Sequence, residues 1–297
     1  MRKLDNKGNA SIILCLVITA LFGFTALVID VGLVFSEKTK LSNALDAAAL
    51  AAVLELPEDR DNAVRIAREY IEKNDIDSNN MIIAISKDNK SISIQGNKEV
   101  RHLFAPVIGI KSSAVKVASK AIVGPAKSIK SGIRPFAVQI YDFSYGDLVT
   151  LKEGAGDGYH GNYKVLSLGG AGSNVFEANA LYGYKGTIAV GDWIDTEPGN
   201  MTGATNAIKN YINAEYSAFD NFNRDSIRIW TIPLVSDFNV NGRNQLKVAG
   251  FAEFYVEDIT KKSGKIEVDG RFIRYVTNAV VDMNLQDTGL YGAKLAK

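Results

Sequence analysis

The side chains able to do chemistry are few and scattered in this 297-residue chain. There is a single cysteine, Cys15, and there are two histidines, His102 and His160. One cysteine excludes an intrachain disulfide and a cysteine-based zinc site. Leu14 precedes it where a lipobox would want a small residue, so Cys15 is expected to behave as a small apolar group buried in the membrane. Asp157 and His160 with a nearby serine have the members of a hydrolase triad, but no Gly-x-Ser-x-Gly elbow accompanies them. Gly156-Asp157-Gly158-Tyr159-His160-Gly161 spells GxGxxG. That fingerprint works only where the glycines open a helix, and the residues that follow, Asn162 to Leu168, are strand-like. No P-loop is present. Asp192, Asp195 and Glu197 in GDWIDTEPGN offer oxygen ligands, but their spacing is not that of an EF-hand. A solvated acidic loop turning at Pro198-Gly199 is the plainer expectation, and Trp193 and the tyrosines are expected mostly in core or cross-strand pairs. No catalytic residue, cofactor, metal or small-molecule substrate is therefore expected. One titratable group stands out by its place: Asp30, inside the apolar run FTALVIDVGLVF.

The element carrying Asp30 explains why it is odd. Ala10 to Ile29 is free of charge, and twenty helical residues rise about 30 Å, the thickness of a bilayer core. A secretory h-region is shorter, about 7–15 residues, so a membrane-spanning helix is the stronger reading. Arg2, Lys3 and Lys7 precede the run, which favours a short cytoplasmic N-terminus with the rest of the chain outside. Asp30 then falls at the outer boundary. There it is either an interfacial carboxylate wetted by headgroup water, or an immersed group with a partner, as ionisable residues in spans usually are. Beyond it, SEKTKLSNALDAAALAAVLEL carries no glycine or proline before Pro57. The helix should continue, with Ala44, Ala48 and Ala52 as a smooth stripe. Such a stripe admits either a partner helix or the chain's own folded part.

These residues resemble a known family. An apolar span ending in Ile29-Asp30-Val31-Gly32, followed by Lys40-Leu41-Ser42-Asn43-Ala44-Leu45-Asp46-Ala47-Ala48-Ala49-Leu50-Ala51-Ala52, resembles the TadE/TadG-like proteins of Flp (tight adherence) pilus assembly. The likeness covers about the first 55 residues. A weaker one, in the glycine- and asparagine-rich pattern from Asn162 to Phe272, resembles the C-terminal region of TadG-like chains. The resemblance implies membrane-anchored assembly or scaffolding work without catalysis. It also implies partners among pilus-assembly membrane proteins or pilins, met through the N-terminal helix. Asp30, Gly32, Ala44, Ala48 and Ala52 become the candidate membrane and assembly residues, with Asp30 a helix-register or partner-pairing group. Two departures are visible. Gly8 is not followed by the glutamate that prepilin processing uses. Asp142-Phe143-Ser144-Tyr145-Gly146 has glycine where the metal motif of a von Willebrand A domain has its last serine.

The remainder fixes the class. Hydrophobic residues are 46% and charged residues 23%, ordinary for a folded chain, and a net charge of +1 leaves no footprint for nucleic acid. An amphipathic helix is expected after Pro57, then strands MIIAIS and SISIQG, a short helix over Val100 to Ile110, and a strand over Ser113 to Val123. Gly124 to Gly132, GPAKSIKSG, has the composition of a linker. Past Ile133 come short strand-like runs with helical patterns near Val175 to Leu181 and Gly203 to Tyr216, as in a sandwich or partly open barrel. The expected fold is α+β: a transmembrane anchor with an alanine-rich extension (1–56), a small α+β domain (57–124) and a β-rich ectodomain with helical insertions (133–297). The function expected is accessory or scaffold work at a pilus. The alternatives are a tethered ectodomain that binds a glycan or another cell-surface ligand, and a tethered hydrolase.

Overall fold

The structure, a computed structural model, describes residues 7–153, 162–197, 202–238 and 244–296. Its first element is a single helix, α1 (Lys7–Val53), 47 residues long and therefore about 70 Å from end to end. The two ends of α1 are packed differently. From Ile12 to Ile29 the large apolar side chains stand exposed around the helix. From Leu41 onward burial follows a stripe, Leu41, Ala44, Leu45, Ala48, Ala49, Ala52 and Val53, the three- and four-residue spacing of one helix face.

Two compact units follow from the contacts within the chain. The first comprises residues 1–52, 60–121 and 295–297. In it α2 (Arg60–Lys73) buries Ala63, Ala67 and Ile71 on one face, with Asp61 in its first turn and Lys73 in its last, the arrangement that suits a helix dipole. Strands β1 (Ile82–Ile85) and β2 (Ser91–Arg101) form an antiparallel hairpin. Its turn is held by the Ser86 hydroxyl, which accepts from the Ser91 amide at 2.9 Å, with Asn89 in the left-handed region. Gly96 of β2 faces Leu45 of α1, whose side chain would lie 3.3 Å from an added Cβ, so the strand supports the helix's inner stripe. β3 (Ser112–Ile129) begins in this unit and runs on into the next.

Two local expectations are corrected here. No α-helix forms over Val100 to Ile110: β2 runs to Arg101, and a single 3-10 turn occupies Ala105–Ile108. Pro106 supplies no amide, and Gly109 adopts φ of 92°, so the turn ends rather than propagates. The linker-like stretch from Gly124 is strand as far as Ile129. Gly124 is there for close approach, since a Cβ at that position would come within 2.6 Å of the Val281 side chain.

The second unit comprises residues 53–59 and 122–294. Its strands are the latter part of β3, then β4 (Phe136–Gln139), β5 (Leu148–Glu153), β6 (Asn162–Val165), β7 (Ile188–Ala189), β8 (Trp193–Asp195), β9 (Ile229–Val235), β10 (Gln245–Lys262), β11 (Lys265–Ile273), β12 (Tyr275–Thr277), β13 (Val280–Val281) and β14 (Leu290–Leu295). Helices α3 (Ser173–Tyr182) and α4 (Thr205–Asn213) are inserted between strands. The pairing order β11-β5-β6-β4-β9-β10, with β10 pairing β11 again, closes a six-stranded ring, and β8 extends β10 beyond it. Closure leaves the ring without a free edge. A barrel was one of the two expected forms, and it is closed rather than partly open.

Aromatics fill the ring. Phe136 stacks on Trp230 at 5.1 Å and meets Tyr163 edge-on at the same separation. Phe176 and Ala180 of α3 and Ile208 and Ile212 of α4 join the same core. β7 and β13 pair with β3, and β14 pairs with both β3 and β12. A second core, with Ala126, Ile129, Val235, Phe251 and Leu290 among its members, is shared by this layer and the outer face of the ring.

Candidate functional site

Asp30 lies one residue past the apolar stretch and has 2% of its surface exposed. Its carboxylate is gripped by three consecutive backbone amides. Leu103 donates to Oδ1 at 2.7 Å, Phe104 to Oδ2 at 3.0 Å, and Ala105 to Oδ2 at 2.6 Å. Successive amides converging on one anion form a nest, the donor set suited to an ionised carboxylate. The donors open the connection between β2 and β3, so a residue of the first helix pins a loop 73 to 75 positions later. His102, just before the nest, bonds through Nε2 to the Ser113 hydroxyl at 2.9 Å, tying the two sides of that loop.

A second tie lies two turns further along α1. Glu37 takes Lys98 of β2 at 2.6 Å on one oxygen and Lys40 at 3.4 Å on the other. Asp30 and Glu37 are seven positions apart, so both carboxylates project from the same side of the helix. Together they fix its axial position against β2 and its loop. On the span itself, Thr19 and Thr25 return their hydroxyls to the carbonyls of Cys15 and Leu21 at 2.8 and 2.9 Å. That satisfies polar groups which lipid would otherwise leave unpaired.

The other expected site residues divide into two kinds. Ala44, Ala48 and Ala52 are at most 1% exposed, so of the two coverings open to that stripe, the chain's own fold supplies one. Gly32 is bare: nothing lies within 4 Å of where its Cβ would stand. The Asp30 partner was not legible beforehand. The signal in the sequence is the run Leu103-Phe104-Ala105-Pro106, where Pro106 forces a break and leaves preceding amides free of a ladder.

Of the acidic trio, Asp195 is exposed while its two neighbours are engaged by the fold. Asp192 accepts from the Ala189 amide at 2.8 Å, and Glu197 accepts from the Gly172 amide at 3.3 Å. Among the described residues, no group of three or more His, Cys, Asp or Glu gathers to hold a metal ion. The glycine loop 156–161, with Asp157 and His160, and the turn at Pro198-Gly199 lie outside the described residues. Gly146 of the Asp142 to Gly146 motif donates its amide to Phe272 and accepts from Arg271 at 2.6 Å, bonds that seat the segment on the barrel. A cavity of about 580 Å³ is lined by Phe219, Arg228, Tyr255, Glu257 and Arg271. Within it Arg271 pairs with Glu257 at 2.6 Å, so those charges already neutralise one another.

Two buried ionisable groups sit in the second unit. Glu253 accepts from the Thr231 hydroxyl at 2.9 Å, and burial pushes its carboxyl up to about 8. Arg134 donates to the Ala180 carbonyl at 3.0 Å and lies over Trp230. Burial brings its guanidinium down to about 10, against a smaller opposing pull from Tyr211 and Glu253. Both shifts arise from desolvation, which disfavours each charged form.

Comparison with known proteins bears on the helix that carries Asp30. Residues 8–55 match the family described as putative Flp pilus-assembly TadE/G-like. Over those residues the chain is similar to that family. The match relates the protein to pilus assembly, and that description speaks of assembly rather than catalysis. Its limits nearly coincide with those of α1, so it takes in the bare apolar half, Asp30 and the buried stripe together. Among the described residues this is also the one helix long and apolar enough to cross a membrane, with a mean hydropathy of 2.9 in its most apolar window. Neither a curated protein nor a solved structure matches the chain.

Proposed function

We propose that the protein is a membrane-anchored accessory or scaffold component of a Flp/Tad-type pilus-assembly or secretion system. Its short N-terminus lies in the cytoplasm, its folded part outside, and it performs no catalysis. The observation that carries this reading is the coincidence of the TadE/G-like match with one continuous helix. That helix is bare over an apolar length and then buried along one face. Bare apolar sides flanking Gly32 offer other membrane helices or pilins a surface to approach closely. Asp30 and the alanine stripe act from within: they set the depth and rotation at which the helix presents that surface.

The test is gentle extraction of the natural protein from its own membranes, with identification of what copurifies. Pilins or pilus-platform proteins are expected with the natural chain and in reduced amount with Asp30→Asn. If no such protein copurifies, and deleting the gene leaves piliation and attachment intact, the assembly reading fails. A second reading, an ectodomain that holds a glycan or another surface ligand, is favoured by the barrel-side cavity, whose lining includes Ser217, Asp220 and Arg271, polar groups that suit a hydroxyl-bearing ligand. It expects binding that survives exchange of the anchor for an unrelated one.

A further inference from the structure

The loop pinned by Asp30, residues 102–111, has the sequence HLFAPVIGIK. Its apolar side chains point away from the fold. Val107 is 92% exposed, Ile108 73% and Leu103 67%, with Phe104 and Ile110 also exposed. In water such a cluster is a liability, and contiguous exposed apolar surface marks an interaction site.

Most backbone amides of this tip are bonded within the chain. The amides of Leu103, Phe104 and Ala105 are taken by Asp30. Those of His102, Val107, Gly109 and Ile110 are taken by the carbonyls of Lys111, Phe104, Pro106 and Ala105. Pro106 has no amide to satisfy. Non-helical backbone is costly in lipid where its polar groups lack partners; these seven amides have theirs, which lowers the cost of seating the tip at the headgroup–acyl boundary. Its place is also fixed, because Asp30 directly follows the span Ala10–Ile29. The nest therefore holds the loop at the level where α1 leaves the bilayer. Exposed Arg101 and Lys111 flank the apolar tip at its two necks, where they would meet anionic headgroups.

We infer that the 102–111 loop is a second, monotopic membrane contact. Leu103, Phe104, Val107 and Ile108 immerse in the outer headgroup–acyl boundary beside the helix, and Arg101 and Lys111 pair with anionic lipid. The two contacts, helix and loop, fix the tilt of the first folded unit on the bilayer, which a single helix cannot do. This rests on the membrane-anchor part of the function proposed above, and not on the pilus part.

The test uses the full chain carrying Cys15→Ser, reconstituted in vesicles of phosphatidylcholine with about one-quarter phosphatidylglycerol. A single environment-sensitive fluorophore is placed at Val107→Cys, at Leu21→Cys in the span, or at Lys87→Cys. Lys87 is in the turn at the opposite end of the 11-residue β2, about 35 Å away at roughly 3.3 Å per residue. Quencher-bearing lipid is expected to dim the Val107 and Leu21 labels at least twofold more than the Lys87 label. Ile108→Asp is expected to return the Val107 label to the Lys87 level while leaving Leu21 quenched, which separates lost immersion from lost anchoring. A quenched Leu21 label with an unquenched Val107 label overturns the loop inference alone, and makes the patch a docking face for protein. Leu21 and Val107 both unquenched overturn the loop inference together with the anchor beneath it.

Discussion

Asp30 and Glu253 are carboxylates hidden from water in different units, and the protein treats them in opposite ways. Asp30 is met by three backbone amides, donors that suit a negative charge. Glu253, fully inside the barrel unit, is met by one hydroxyl, and burial pushes it up to about 8. The first is a fastening: a charge placed where it orders a distant loop. The second is a burden that the fold carries by keeping the group protonated near neutrality. Burial alone does not tell which kind a carboxylate is. The number and type of donors aimed at it do.

The largest effect that would sharpen this contrast is on the pH dependence of the barrel unit. An unfolded glutamate ionises near 4.5, while Glu253 in the fold does so at about 8. Its contribution to stability is thus complete below about 4.5 and falls by about 1.4 kcal/mol per pH unit until about 8, for several kcal/mol in all. Both tryptophans, Trp193 and Trp230, belong to this unit, so denaturant melts followed by tryptophan fluorescence read it directly. Glu253→Gln is expected to flatten the profile. An unchanged slope in that variant would mean that Glu253 is not the group held neutral.

Next in size is Ala48→Leu, which forces three extra carbons into the fully buried stripe of α1. Overpacking of this kind costs about 1–3 kcal/mol. Hydrogen exchange should show β2 amides opening more readily, while the tryptophan-monitored melt of the other unit stays where it was. Thr231→Val comes third. It removes the one hydroxyl donated to Glu253, for a loss of about 1 kcal/mol. It should also move the upper limit of the pH transition further up, since that bond favours the charged form. Smallest in global terms is Asp30→Asn. The loop amides of Leu103, Phe104 and Ala105 should exchange faster, with no movement of the tryptophan melt. Unchanged exchange at those three amides would break the comparison, because Asp30 would then be hidden without fastening anything.

How much of this was readable beforehand varies with the range of the interaction. The hairpin of β1 and β2, the amphipathic α2 and the two inserted helices follow from patterns confined to one segment. Two misreadings were of the opposite kind. GPAKSIKSG has linker composition, yet most of it is strand, because Gly124 answers to Val281 across the sheet rather than to its own neighbours. Val100 to Ile110 has helical spacing, yet β2 runs on to Arg101 in pairing set by distant segments, and what remains closes as one 3-10 turn at Ala105–Ile108. In the candidate site, Asp30 was conspicuous as a lone charge in an apolar run, while its partners were ordinary loop residues with no chemical mark.

What the sequence determined by itself is whatever depends on length, composition and local period. Twenty uncharged residues reach across a bilayer by arithmetic of rise alone. Alanine at four-residue spacing makes a smooth face whatever covers it, and glycine and aspartate at the end of the span carry the family likeness. Tertiary structure alone decided which surfaces meet. It chose the chain's own fold to cover the alanines, joined β10 back to β11 to close the ring, and brought three amides from more than 70 residues away onto Asp30. The reason is physical. A local pattern specifies that a face must be buried or a charge answered, but the answer comes from packing among distant segments, whose free energies are settled only when the whole chain is in place.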